Sequence, residues 1–122
     1  PSIYYGSEWG IKGEKGHGAN TDDAIRPSLN LSEFENMNSF LTEHIKALVQ
    51  KRQSSKALRL GTYEKVFVKN EQFAFARKYE NETAIVVFNV SDTSEKIMFQ
   101  YSGKQYDLMM QPKSSWITII TT

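Results

Sequence analysis

The chain has 122 residues, with 39% hydrophobic and 24% charged side chains, the balance of a globular domain with a sizeable core rather than a disordered or membrane-embedded segment. Fifteen basic residues against fourteen acidic leave a net charge of +1, which gives no basic face for nucleic acid, and the absence of cysteine excludes disulfides and thiolate metal sites. No apolar run approaches the roughly 18–20 residues of a membrane span, so a soluble chain without a membrane partner is expected.

The opening Pro-Ser-Ile-Tyr-Tyr-Gly has no basic n-region, no apolar h-region and no initiating Met, and reads as the start of a processed or truncated chain with no signal peptide. Ser2-Ile3-Tyr4-Tyr5 is a short β-prone run stopped by Gly6. A long loop follows with Gly10, Gly13, Gly16 and Gly18, too rich in backbone entropy for a helix or strand. These glycines make no phosphate cradle, because no helix starts directly behind them. Arg26-Pro27 then restricts the backbone before the next element.

Phe40, Leu41, Ile45, Leu48 and Val49 fall on one stripe of an α-helix. Asn38 or Ser39 is the expected N-cap, and Ser54-Ser55 the stop. Lys51 and Arg52 sit where the helix dipole favours cations; with Lys46, Lys56 and Arg59 they read as a solvated face. The apolar stripe is expected to be buried against the β-domain or a second copy of the chain.

From residue 57 the pattern alternates. Phe73, Phe75, Arg77 and Tyr79 form a bulky face, with Ala74, Ala76 and Lys78 on the other. Ala84 to Phe88 is a continuous apolar run, as expected of a central strand. Val66-Phe67-Val68, Ile97-Met98-Phe99, Tyr106 to Met109 and Trp116 to Ile120 add four more strands, with Leu58-Arg59-Leu60 a candidate seventh. Turns are expected at Asn70-Glu71, Asn81-Glu82, Asp92-Thr93-Ser94, Ser102-Gly103 and Pro112-Lys113. This spacing points to an antiparallel sandwich or barrel. Trp116 alternates into the core pattern, whereas Trp9 sits in the Gly-rich loop.

The opening Pro1-Ser2-Ile3-Tyr4-Tyr5-Gly6-Ser7-Glu8 resembles the segment around the eighth barrel strand of α-amylase-family enzymes (glycoside hydrolase family 13). That segment reads Gly-Ile-Pro, a tyrosine-rich strand, then Gly, a variable residue and Glu. Asp22-Asp23-Ala24-Ile25-Arg26-Pro27 is similar to the Asp…Arg-Pro stretch that follows it. Leu48-Val49, Arg52 and Ala57-Leu58-Arg59-Leu60-Gly61 resemble the end of the last barrel helix. Phe73 to Arg77 and Ile85 to Ser91 look like the strands that open the family's C-terminal β-domain. The Gly-rich loop is closer to the cyclomaltodextrinase and neopullulanase branch.

The resemblance implies a mainly β fold with one long helix: an antiparallel β-sandwich of Greek-key type with six to seven strands, preceded by a barrel-derived strand, the Gly-rich loop and the amphipathic helix. Residues 1–56 would be the remnant of a (β/α)8 catalytic barrel, with strand 1–6, loop 7–32 and helix 33–55. Residues 57–122 would be the C-terminal all-β domain. The family's nucleophilic Asp, general-acid Glu and stabilising Asp belong to the fourth, fifth and seventh barrel strands, so no catalytic residue transfers here. Glycoside hydrolysis needs two carboxylates about 5–9 Å apart, and Glu8, Glu14, Asp22 and Asp23 are the acids near the loop.

The expected substrate-binding residues in a parent enzyme are Tyr5, Glu8, Trp9 and Arg26. No cofactor and no metal ligand set is expected; calcium in the parent is not readable from this stretch, although Asn20, Asp22 and Asp23 supply oxygens. His17 and His44 have no ligand spacing. The expected partners are the absent barrel and an α-glucan, with a homodimer through barrel-facing surface as another. A free-standing β-sandwich that binds carbohydrate or protein is the alternative. Sequons lie at Asn30, Asn81 and Asn89.

Overall fold

The computed structural model describes residues 2–19, 21–34 and 39–122, the side chain of Ser39 excepted. Asn20 and the N-cap candidate Asn38 lie outside them. The chain divides into two compact units, Pro1–Gln50 and Lys51–Thr122.

In the second unit the alternating segments pair as six antiparallel strands: β1 (Thr62–Lys69), β2 (Gln72–Tyr79), β3 (Glu82–Asn89), β4 (Glu95–Tyr101), β5 (Lys104–Met110) and β6 (Ser114–Thr121). One sheet runs β1-β2-β3-β6 and the other is the β4–β5 hairpin. The chain thus leaves the first sheet after β3, builds the second, and returns to lie beside β3. Ser102 and Gly103 both have positive φ, 49° and 76°, as a two-residue type I′ hairpin turn requires. The other turns fall at Asn70-Glu71 and at Glu80-Asn81, one residue earlier than the sequence suggests.

Pairing register decides which face each residue takes. Ala74 lies opposite Val87 and Ala76 opposite Ile85, and all four are fully buried between the sheets. Ile97, Phe99, Tyr106 and Met110 face them from the hairpin. The core face of β2 is therefore the alanine face, not the bulky one. Phe99 and Tyr106 stack at 4.9 Å and Trp116 meets Tyr106 edge-on at 6.3 Å, so the rings from the second sheet fill space that small side chains on β2 leave open. Burying Ile85, Val87 and Ile97 stabilises the unit by about 1.5–3 kcal/mol each.

The opposite face of the larger sheet carries the bulky residues. Phe75 is in ring contact with Tyr63, Phe73 and Phe88 at 5.5, 5.9 and 6.2 Å. A second helix, α2 (Lys56–Leu60), follows α1 (Ser39–Ser54) after a break at Ser55 and packs on β2 and β3. Leu58-Arg59-Leu60, a candidate strand from sequence, is thus helical. A local cap is fixed by a distant carboxylate: Ser55 Oγ accepts from Leu58 N at 3.0 Å and donates to Glu82 Oε1 at 2.6 Å, and the same carboxylate accepts from Ala57 N at 2.7 Å. Gly61 ends the turn where a Cβ would come within 2.5 Å of the Ala57 carbonyl oxygen and 2.9 Å of the Lys78 backbone. No larger residue passes this point without moving the helix off the sheet.

Asn89, at the end of β3, is fully buried and completely engaged. Its amide nitrogen donates to the carbonyls of Thr93 (2.8 Å), Gln111 (3.0 Å) and, more weakly, Met110 (3.4 Å). Its oxygen accepts from Gln72 Nε2 (3.1 Å), Ser91 N (3.2 Å) and Ser91 Oγ (2.7 Å). One side chain thereby ties β2 and β3 to the turns that enter β4 and leave β5. The folded chain leaves no route to glycosylation at this sequon, whereas Asn30 and Asn81 are exposed.

In the first unit, residues 2–6 form no strand: Ser2–Tyr4 are irregular and a turn covers Tyr5-Gly6. A barrel strand is held by hydrogen bonds to two neighbours, and residues 2–6 have no strand partner among the described residues. Nor is the α1 stripe buried as a whole. Leu41 and Ile45 are half-buried, but Phe40 is 83%, Leu48 40% and Val49 42% exposed. Among the described residues no helix is long and apolar enough to cross a membrane.

Candidate functional site

The loop residues of the first unit fold around the two tyrosines. Tyr4 and Tyr5 hold their rings 4.7 Å apart, and their hydroxyls donate to the backbone oxygens of Ile25 (3.2 Å) and Pro27 (3.1 Å). The start of the chain is thus pinned to the Asp-Arg-Pro stretch some twenty residues later. The adjacent Tyr4 hydroxyl pushes the Tyr5 phenol above its ordinary value, and Arg26 pulls weakly the other way. Asp22 lies 3.6 Å from both Lys15 and Arg26, and its carbonyl accepts from the backbone of Ile25 and Arg26, closing a turn. Gly13 is the other tight point: a Cβ there would fall 2.2 Å from the Ala24 carbonyl oxygen.

Between these segments lies a cleft of about 430 Å³, with Tyr4, Tyr5, Lys12, Ile25 and Arg26 in its walls. A second hollow of about 410 Å³ is lined by Ile3, Tyr5, Glu8, Thr42, Ile45 and Lys46. Tyr5 therefore stands between the two, Arg26 belongs to the first and Glu8 to the second. Thr42 Oγ1 donates to the Glu8 carbonyl at 2.8 Å, fastening the loop to α1. Glu8 Oε2 is buried with no hydrogen-bond partner among the described residues. Trp9 lines neither hollow; it stacks on Phe34 at 5.2 Å. Of the four sequence-derived site residues, the fold brings Tyr5 and Arg26 to one cleft, places Glu8 beside Tyr5 in the other, and sets Trp9 apart.

Asp22 is engaged by its two cations, and among the described residues no three His, Cys, Asp or Glu side chains gather into a metal-binding set. His44 stacks on Phe40 within α1. Sequence reasoning passed over Tyr4 and Pro27. The signal that could have found them is the tyrosine pair itself, since each phenol hydroxyl is a donor that the irregular backbone of the loop's return can accept.

No family model matches the sequence. The cyclomaltodextrinase of Thermoanaerobacter pseudethanolicus is 30% identical over 112 residues, which is 91% of this chain and 18% of that enzyme. The chain matches the C-terminal region of α-amylase-family enzymes. Among solved structures, a debranching enzyme from Nostoc punctiforme superposes with a TM-score of 0.75 at 24% identity, over 96% of this chain and 27% of that one. A cyclic α-maltosyl-(1→6)-maltose hydrolase from Arthrobacter globiformis gives 0.71 at 21% identity, over 97% of this chain and 26% of that one. At such identities the structural likeness speaks to the fold. The chain therefore spans about a fifth to a quarter of the α-amylase-family relatives it matches.

Proposed function

We propose that the chain is the C-terminal part of a longer α-amylase-type glycoside hydrolase acting on α-glucosidic bonds of starch-like glucans or maltodextrins, and that alone it does not hydrolyse them. The observation that carries this reading is the asymmetry of the cyclomaltodextrinase match, nearly all of this chain against less than a fifth of that enzyme. The half-open α1 stripe and the strandless residues 2–6 support it, because both are surfaces that neighbouring barrel elements would complete. The β-sandwich, closed around its own core, stabilises the barrel it adjoins.

In the parent, Tyr5 and Arg26 form part of the sugar cleft and Glu8 braces it, its free oxygen taking a donor from barrel sequence. Trp9 braces the loop through Phe34. The test compares the chain alone with the chain joined to its upstream sequence, using maltoheptaose and reducing-sugar release. Activity is expected only in the longer protein. Release by the chain alone, abolished by Glu8→Gln, would refute the reading.

A carbohydrate-binding module is the second reading, favoured by the aromatic strip of Tyr63, Phe73, Phe75 and Phe88 on the outer sheet face. Saturable heat on titration with maltooligosaccharides, lost in Tyr63→Ala, would select it.

A further inference from the structure

The two sheets of the second unit part at the end that holds the Glu80-Asn81 and Ser102-Gly103 turns. Lys78 and Thr83 are opposite one another on β2 and β3, and Ile120 lies opposite Thr83 on β6; all three are inner-face positions. Tyr101 and Lys104 are paired across the hairpin, with Tyr106 next along the same inner face. These six side chains line a mouth of about 200 Å³. A water's share of liquid is about 30 Å³, so the opening has room for more than one or two waters.

Lys78 and Lys104 hold inner-face positions at the strand ends of both sheets yet are exposed, so their ammonium groups stand at the open rim of the mouth. Neither Lys78 nor Lys104 has a carboxylate within salt-bridge distance among the described residues. Lys104 Nζ is instead held 5.2 Å above the Tyr106 ring, a geometry that fixes the charge at the mouth without neutralising it. Glu64 beside the mouth is occupied: the Tyr101 hydroxyl donates to Glu64 Oε2 at 3.2 Å. Burial and that carboxylate both push the Tyr101 phenol up, so it stays protonated and keeps its bond to Glu64. The hydroxyls of Thr83 and Ser102 add donors, and Ile120 and the Tyr106 ring give an apolar floor.

We propose that this mouth binds a small oxyanion, the phosphate of a phosphorylated sugar or free phosphate, between the Lys78 and Lys104 ammonium groups. Two cations from opposite sheets bracket the anion, hydroxyl donors complete its shell, and the low-dielectric floor strengthens each contact. The site is independent of the barrel reading, because every residue in it comes from the second unit.

The experiment titrates the 122-residue chain with inorganic phosphate, glucose 6-phosphate and neutral glucose at constant ionic strength, following backbone amides by two-dimensional NMR. Saturable shifts confined to Thr83, Ser102, Lys104, Thr122 and their neighbours are expected with the phosphate-bearing probes. Comparable affinity for both assigns the site to the bare oxyanion, and tighter binding of glucose 6-phosphate assigns it to the sugar ester. Lys78→Gln and Lys104→Gln are exposed changes that keep the remaining amide pattern, and each should weaken binding about tenfold, the size of one charge-assisted hydrogen bond. Shifts that grow linearly without saturating, glucose acting like its phosphate ester, or undiminished affinity in both variants would overturn the proposal.

Discussion

Asn89 offers the sharpest test of how the sandwich is held, because an isosteric change and a truncation should rank in the opposite order to their size. Asn89→Ala removes five hydrogen bonds of 2.7–3.2 Å and a sixth of 3.4 Å. A neutral bond contributes about 0.5–1.5 kcal/mol net, and a buried group left without a partner costs about 1–3 kcal/mol. Ser91 Oγ keeps its own bond to the Thr93 carbonyl, which softens the loss, so destabilisation of about 3–4 kcal/mol is expected. Asn89→Asp keeps the shape but aims a carboxylate oxygen at three carbonyl oxygens instead of donating to them, and should cost more than the alanine. Burial and those carbonyls disfavour ionisation, raising the folded-state pKa of the new acid above its unfolded value. The penalty is therefore largest at neutral pH and shrinks as pH falls and the carboxyl protonates. Urea unfolding followed by circular dichroism at several pH values measures both effects. An alanine variant that loses less than about 1 kcal/mol, or an aspartate variant as stable as the alanine one at neutral pH, would refute the reasoning.

Glu82 predicts an acid-dependent loss of the α2 contact. The Ser55 hydroxyl and the Ala57 amide hold its carboxyl below the ordinary value, so its contribution is present above the unfolded pKa and disappears as pH falls through the folded one. Glu82→Gln should flatten that part of the stability–pH curve. Ile85→Ala, at a fully buried position on a central strand, should lower unfolding free energy by about 2–5 kcal/mol in the same urea assay. Gly13→Ala should spread the loop around Ala24 and accelerate proteolysis between residues 7 and 30, leaving the second unit's amide-exchange protection unchanged.

Strand existence was legible because alternation and turn residues are local signals. Five of the segments read from sequence became strands with their turns at or next to the expected residues, and the sixth, β1, was read from Val66-Phe67-Val68. Which face was core was not legible on β2, since alanine is small enough to lie on either side and only the rings of β4 and β5 decide it. Leu58 to Leu60 was ambiguous for a related reason: three residues carry no period, and the helix is chosen by a cap that depends on Glu82, some twenty-five residues away. Residues 2–6 have the composition of a strand, but a strand is a property of its neighbours. At the candidate site the tyrosines and Arg26 were legible as residue types. Their meeting at one cleft was not, because it runs through the backbone oxygens of Ile25 and Pro27, which have no signature in sequence. The mouth between the sheets was invisible as well, its two lysines lying on different sheets that only packing brings together.

The register of β1 shifts between Lys65 and Phe67, leaving Val66 as an extra residue on a rim of the four-stranded sheet. Tyr63 and Lys65 stand opposite Arg77 and Phe75, while Phe67 stands opposite Ala74 and reaches the interior. The interruption bends that rim and spoils its row of free amides and carbonyls as a template. Any association of copies by backbone pairing on this sheet would therefore take place at the unbroken β6 side, and a strand-mimicking peptide should anneal there first.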